Sequence, residues 1–158
     1  MDTVKQAPVA RVRPVTSTSV TRSLLKRAKA DPDTAIRDCT KAVEFNDKDV
    51  AAWSCRAFAR QLKGDVKGCL ADAARALLLN PDEPAALTAR AAARLRSGDD
   101  QGALADATRA LTLDPKQSEA WAQRGVARER LGDMAGAKAD YAKSIEIDVF
   151  DTIRAQRS

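Results

Sequence analysis

Residues 118–151 read SEAWAQRGVARERLGDMAGAKADYAKSIEIDVFD, and two earlier stretches fall into line beneath them. Set 34 residues upstream, residues 84–117 read PAALTARAAARLRSGDDQGALADATRALTLDPKQ; set 34 further back, residues 50–83 read VAAWSCRAFARQLKGDVKGCLADAARALLLNPDE. Trp53, Leu87 and Trp121 then share a column, as do Gly64-Asp65, Gly98-Asp99 and Gly132-Asp133, and Asn80-Pro81, Asp114-Pro115 and Asp148-Val149. Self-similarity at a fixed period of this length marks a stacked repeat, in which no unit buries its apolar face alone. A degenerate copy over residues 16–49 keeps Ala35, Asp38, Ala42 and Val43 in register but lacks the tryptophan and the Gly-Asp pair. Repeats thus fill residues 16–151, with residues 1–15 as a leader and residues 152–158 as a short tail. No room is left for a separate catalytic domain.

Each unit reads as two helices. Over residues 51–63 apolar and small residues recur at three- and four-residue spacing, and Gly-Asp then breaks the pattern. A glycine there can take the left-handed conformation that closes a helix. A second helix spans residues 67–79 and stops at Asn80-Pro81, because proline disfavours helix in the residue before it. Leu, Ile, Val and Phe make up only 30 of 158 residues, whereas alanine alone supplies 32. That balance suits slender helices in close contact. Small residues line up where the helices would cross: Ala57, Ala91 and Gly125; Cys69, Ala103 and Ala137; Ala76, Ala110 and Ser144. The predicted class is all-α.

The net charge is +5, and the excess sits at the front. Residues 1–30 carry seven basic groups against Asp2 alone, while the remainder is nearly neutral. The leader over residues 1–15 reads as a flexible basic arm. It fits a solvated tail, a docking arm for an acidic partner or an organelle-targeting leader. The expected compartment is the cytoplasm, or the mitochondrion if the leader is a targeting segment. No histidine is present, which excludes a Ser-His-Asp triad, a Cys-His dyad and histidine-ligated zinc. No apolar run approaches the ~20 residues that span a bilayer, so no membrane insertion is expected. Cys39, Cys55 and Cys69 have neither zinc-site spacing nor an even count and read as buried reduced thiols. The few aromatics sit at packing columns, so the chain does not read as a nucleic-acid binder. No catalytic residue, metal site or cofactor is expected.

The pattern of Trp, small residue, Gly-Asp, Ala, aromatic and Ala resembles the tetratricopeptide repeat, most fully in Trp121, Gly125, Gly132, Ala137 and Tyr141. The chain departs from it at Arg56, Arg90 and Arg124, where the consensus has Leu, and at Arg60, Arg94 and Arg128, where it has Tyr. The resemblance implies a right-handed superhelix of antiparallel helix pairs whose concave face binds a peptide or helix of another protein. Family positions lining that groove correspond here to Ser54, Phe58 and Gln61, then Thr88, Ala92 and Leu95, then Glu119, Ala122, Val126 and Glu129. Family members that hold acidic chaperone termini use a carboxylate clamp of Lys, Asn and Arg. Its lysine and asparagine positions are filled here by Val20 and Leu24, or by Ser54 and Phe58.

Arg22, Arg56, Arg90 and Arg124 share one column, and Asp38, Asp72, Asp106 and Asp140 share another sixteen residues on. Their co-occurrence in every copy predicts one Arg–carboxylate bridge per repeat, a style similar to co-chaperone repeats. Arg60, Arg94 and Arg128, one turn further along, remain candidates to meet an anion. At the C-terminus, Val149, Phe150 and Ile153 are apolar with little chain left to cover the last helix. They either fold back as plugs or meet another subunit. The expected function is a non-catalytic adaptor or scaffold; the alternative is a structural subunit, homo-oligomeric or within a complex, assembling through that edge.

Overall fold

The computed structural model describes residues 17–158, and the leader over residues 1–15 lies outside them. The described residues form α1 (Ser17–Ala30), α2 (Pro32–Phe45), α3 (Val50–Leu62), α4 (Val66–Leu79), α5 (Pro84–Arg96), α6 (Asp100–Leu113), α7 (Ser118–Arg130) and α8 (Met134–Gln156), with no strand among them. Successive helices pair and the pairs stack, with α3, α5 and α7 packed in a row along the inner face. The architecture is an all-α solenoid. No described helix is long and apolar enough to cross a membrane.

The turn inside each pair follows from its sequence. Gly64, Gly98 and Gly132 have φ of 81°, 82° and 91°, a region costly for residues with a Cβ. That conformation lets the Asp65, Asp99 and Asp133 amides donate back to the carbonyls of Arg60, Arg94 and Arg128 at 2.8–2.9 Å. The same aspartates then cap the second helix, accepting from the amides of Gly68, Gly102 and Gly136 at 2.9 Å. Asp31 stands in their column and accepts from Thr34 N at 3.1 Å, with Pro32 opening α2. The degenerate copy therefore keeps the aspartate of the Gly-Asp pair and lacks only the glycine, whose column holds Ala30.

Between pairs, Asn46, Asn80 and Asp114 leave the helix in extended geometry. Their side chains accept from the amide two residues on, at 3.1 Å in each case. The expected break in the fourth copy, at Asp148-Val149, is absent. Pro81 and Pro115 push the residue before them out of helix and Asp49 caps α3, but Val149-Phe150 carries neither signal. So α8 runs unbroken for 23 residues, roughly 35 Å, and residues 152–156 belong to it rather than to a separate tail.

The core is narrow because its residues are small: Ala57, Ala91, Cys69, Ala103, Ala76 and Ala110 are fully enclosed. Facing columns compensate in size. Ala57 and Ala91 stand opposite Ala73 and Ala107, whereas Gly125 stands against the ring of Tyr141.

The first helix breaks the pattern. α1 packs on α3 more than on its own partner α2. It also reaches across the inner face: Arg22 bonds Asp114 at 3.0 Å, Lys29 pairs with Glu119 at the start of α7, and Thr21 bonds Glu83 just before α5. α1 is thus a strap over the starts of the later inner helices.

Candidate functional site

Three copies of one charged cluster tie the pairs together. Arg56 meets Asp72 through Nε and Nη2 at 2.8 Å, and Arg60 reaches the same carboxylate at 2.8 Å. Arg90 and Arg94 hold Asp106 at 2.7–2.8 Å, and Arg124 and Arg128 hold Asp140 at 2.8–2.9 Å. The three aspartates are 2%, 5% and 1% exposed, so both arginines of each copy share one buried carboxylate. Its bonds hold the Arg90 charge more firmly than usual. Arg60, Arg94 and Arg128, expected to be available to an anion, are instead committed here, each also within 3.5–3.8 Å of the capping aspartate of its turn. Composition could not separate one bridge per copy from two arginines converging on one acid.

The first copy departs from the ladder. Arg22 does not reach Asp38; it bonds Asp114 in the turn before α7, and Asp38 lies 3.6 Å from Arg27 at the surface. The cause is the displacement of α1 from α2 toward α3 and α7.

The expected groove also changes. Ser54, Phe58 and Ala92 are 0%, 4% and 6% exposed, and Thr88 and Leu95 are likewise buried. These residues are packing between inner helices and do not line an open groove. Ser54 donates to the Val50 carbonyl, and the Thr88 hydroxyl bonds Pro84 O and Gln117 Oε1. Gln61, Ala122 and Val126 are half-buried. The two acids expected to attract a basic segment have partners, Glu119 with Lys29 and Glu129 with the Tyr141 hydroxyl at 2.6 Å. Burial and the Glu129 bond push the Tyr141 phenol up to about 12.

What stays open is a channel of about 470 Å³ between α1, the starts of α5 and α7, and the last turns of α8. Leu25, Pro84, Ile147 and Phe150 give it an apolar lining. Lys26 from α1, Lys116 from the turn before α7 and Arg154 from α8 also border it and make no ion pair among the described residues; Asp148 and Asp151 line it from α8 as well. Glu83 sits at one wall. Burial pushes its carboxyl above the usual range, against bonds from the Ala85 amide and Thr21. Of the lining residues, the sequence had marked Arg22, Glu119 and Phe150, and Asp114 and Asp148 as turn positions, each for another role. The missing proline after Asp148 was the one available signal, because it lets α8 extend far enough to form a wall.

Stacked helix pairs with a mixed apolar and charged channel on their inner face define a protein-interaction module. A family model described as tetratricopeptide repeat matches residues 118–148. The TPR domain of Sgt2 from Aspergillus fumigatus is similar at 33% identity over 63% of this chain and 66% of that one, with a TM-score of 0.56. A thermophilic TPR protein of Thermus thermophilus, TTC0263, aligns at 20% identity over 83% of this chain and 74% of that one, with a TM-score of 0.65. The second TPR domain of Spaghetti (RPAP3), bound to the HSP90 peptide SRMEEVD, aligns at 26% identity over 62% and 91%, with a TM-score of 0.56. No curated protein sequence matches the chain significantly. Residues 118–148 match the tetratricopeptide repeat, and the fold is a tetratricopeptide-type solenoid.

Proposed function

We propose that the chain is an adaptor that takes an extended or helical segment of another protein in the channel between α1, α5, α7 and α8. The observation that carries this reading is the lining: apolar residues with three unengaged cations, Lys26 on α1, Lys116 before α7 and Arg154 on α8, and two carboxylates on α8, Asp148 and Asp151. Such a surface fits a segment with one or two apolar anchors flanked by charges of both signs. The Spaghetti domain accepts an acidic peptide. Here Val20 and Leu24, or Ser54 and Phe58, stand where the carboxylate-clamp side chains of such relatives would be, and none of the four carries a charge. The partner is therefore held by a different set of contacts.

Selection from a displayed peptide library tests this. Peptides selected on the wild-type chain should bind Phe150→Asp and Lys26→Glu at least tenfold more weakly, with unchanged helicity. Selected peptides that bind both variants at wild-type strength would move the site away from the channel.

A second reading has its own observation. Ile145, Val149 and Ile153 lie on the outer face of α8, 63%, 51% and 42% exposed, and do not line the channel. They support assembly through the C-terminal edge. Concentration-dependent mass in light scattering, abolished by Val149→Asp, would favour it; a monomer at all concentrations would remove it.

A further inference from the structure

Cys39 on α2 and Cys55 on α3 are both buried, and each thiol shifts the acidity of the other. Both line a cavity of about 260 Å³, walled by Leu24 and Ala35 and bordered by Arg27, Asp31 and Asp38. Arg27, Asp31 and Asp38 are exposed and Cys39 and Cys55 are buried, so the cavity runs from solvent to the two cysteines. A water molecule occupies about 30 Å³ of liquid, so a molecule of similar size fits with room to spare. The Cys55 S–H donates to the Leu24 carbonyl at 3.8 Å on the strap helix α1. The neighbouring Cys55 thiol holds Cys39 below its ordinary range, and Cys39 together with burial pushes Cys55 well above it. Cys69 is an internal contrast. It is also buried, but its S–H bonds the Ala89 carbonyl at 3.4 Å and burial pushes it up to about 12.

We infer that Cys39 and Cys55 form a dithiol redox site whose oxidant is a small peroxide admitted through this cavity. The Cys39 thiolate attacks one oxygen of hydrogen peroxide, forming a sulfenic acid and releasing hydroxide, which takes up the proton that Cys39 gave to solvent. The Cys55 sulfur then attacks the Cys39 sulfur, and the sulfenic oxygen leaves as water with the Cys55 proton. Two thiols and one peroxide become one disulfide and two waters. The bond staples α2 to α3 and removes the only proton Cys55 could offer to Leu24 on α1. The redox state of the pair is thereby coupled to the helix that borders the channel.

The full chain is treated with hydrogen peroxide, remaining thiols are alkylated, and the unreduced digest is read by mass spectrometry. The expected product is a monomer lighter by two hydrogens, with Cys39 linked to Cys55 and Cys69 alkylated. Cys69→Ser should behave like wild type. Cys55→Ser should accumulate a sulfenic acid at Cys39 that a dimedone-type probe traps. Three alkylated cysteines in the peroxide-treated folded chain would overturn the proposal, as would a disulfide that involves Cys69 or a second molecule. The decisive reading is on the wild-type chain, so a variant that failed to fold would leave the test standing.

Discussion

Asp72 and Asp38 occupy the same column of the repeat, and the structure gives their removal very different costs. Asp72→Ala takes one carboxylate from two arginines. Arg56, its side chain only 11% exposed, is left with Thr40 Oγ1 at 3.2 Å and the Trp53 ring 4.9 Å away. Arg60 can turn to solvent and to Asp65, 3.8 Å away. Removing one partner of a buried pair costs about 3–5 kcal/mol. The residual contacts of Arg56 place this case near ~3 kcal/mol, a large share of the ~5–15 kcal/mol that stabilises a typical domain. Asp38 is more than half exposed and its partner Arg27 lies 3.6 Å away, also at the surface. Such pairs contribute about 0–1 kcal/mol, so Asp38→Ala should stay below ~1 kcal/mol. Urea unfolding followed by far-ultraviolet circular dichroism measures both, with an unchanged slope confirming that the same transition is compared. Asp72→Asn, which keeps one acceptor and loses the charge, should fall between them. Equal costs for Asp38→Ala and Asp72→Ala, or less than ~1 kcal/mol for Asp72→Ala, would refute the shared-carboxylate account.

Further outcomes follow from single positions. Gly125→Ala would place a methyl group 2.6 Å from Tyr141 Cε1 and should cost about 1–3 kcal/mol. Adding Tyr141→Ala reproduces the Ala91–Ala107 arrangement of the preceding copy, so the double variant should cost less than the two single costs added, and strict additivity would contradict the size compensation. Gly98→Ala meets nothing within 4 Å of its new Cβ, so only the backbone at φ 82° opposes it, at about 1–2 kcal/mol. A neutral result in thermal melting would remove the left-handed turn from the account. The weakened folded-state acidity of Glu83 means that the folded chain keeps this proton to higher pH than the unfolded chain, whose ordinary value is 4.5. Its contribution to folding is present below that value and lost as pH rises through the folded one. Glu83→Gln should therefore melt higher than wild type at about pH 7 and lose that advantage near about pH 4, whereas a gap independent of pH would refute it.

The repeat, its helix pairs and their turns were legible because each rests on local chemistry recurring at a fixed period. Gly64, Gly98 and Gly132 stand where a left-handed residue is needed, and the aspartate after each one caps the next helix. Asp31 shows that a copy can keep its cap without the glycine. The site was less legible. Arg60, Arg94 and Arg128 were visible as a stripe, but whether they faced an anion or their own carboxylate depended on how closely the paired helices approach, which residue columns do not state. Likewise Ser54, Phe58 and Thr88 occupy positions that line a groove in open members of the family. Here the small residues let the inner helices close on one another, and those side chains became core.

The sequence by itself determined the period, the all-α class and three of the buried aspartates, Asp72, Asp106 and Asp140, since spacing, propensity and capping act within a few residues along the chain. Only the tertiary structure decided that α1 leaves its own partner to strap the inner face, that α8 continues past the expected turn, and that these two helices bound the open channel. Those outcomes rest on contacts between residues far apart in sequence, Arg22 with Asp114 across 92 positions above all. A contact of that range carries no signature in the periodicity of either helix.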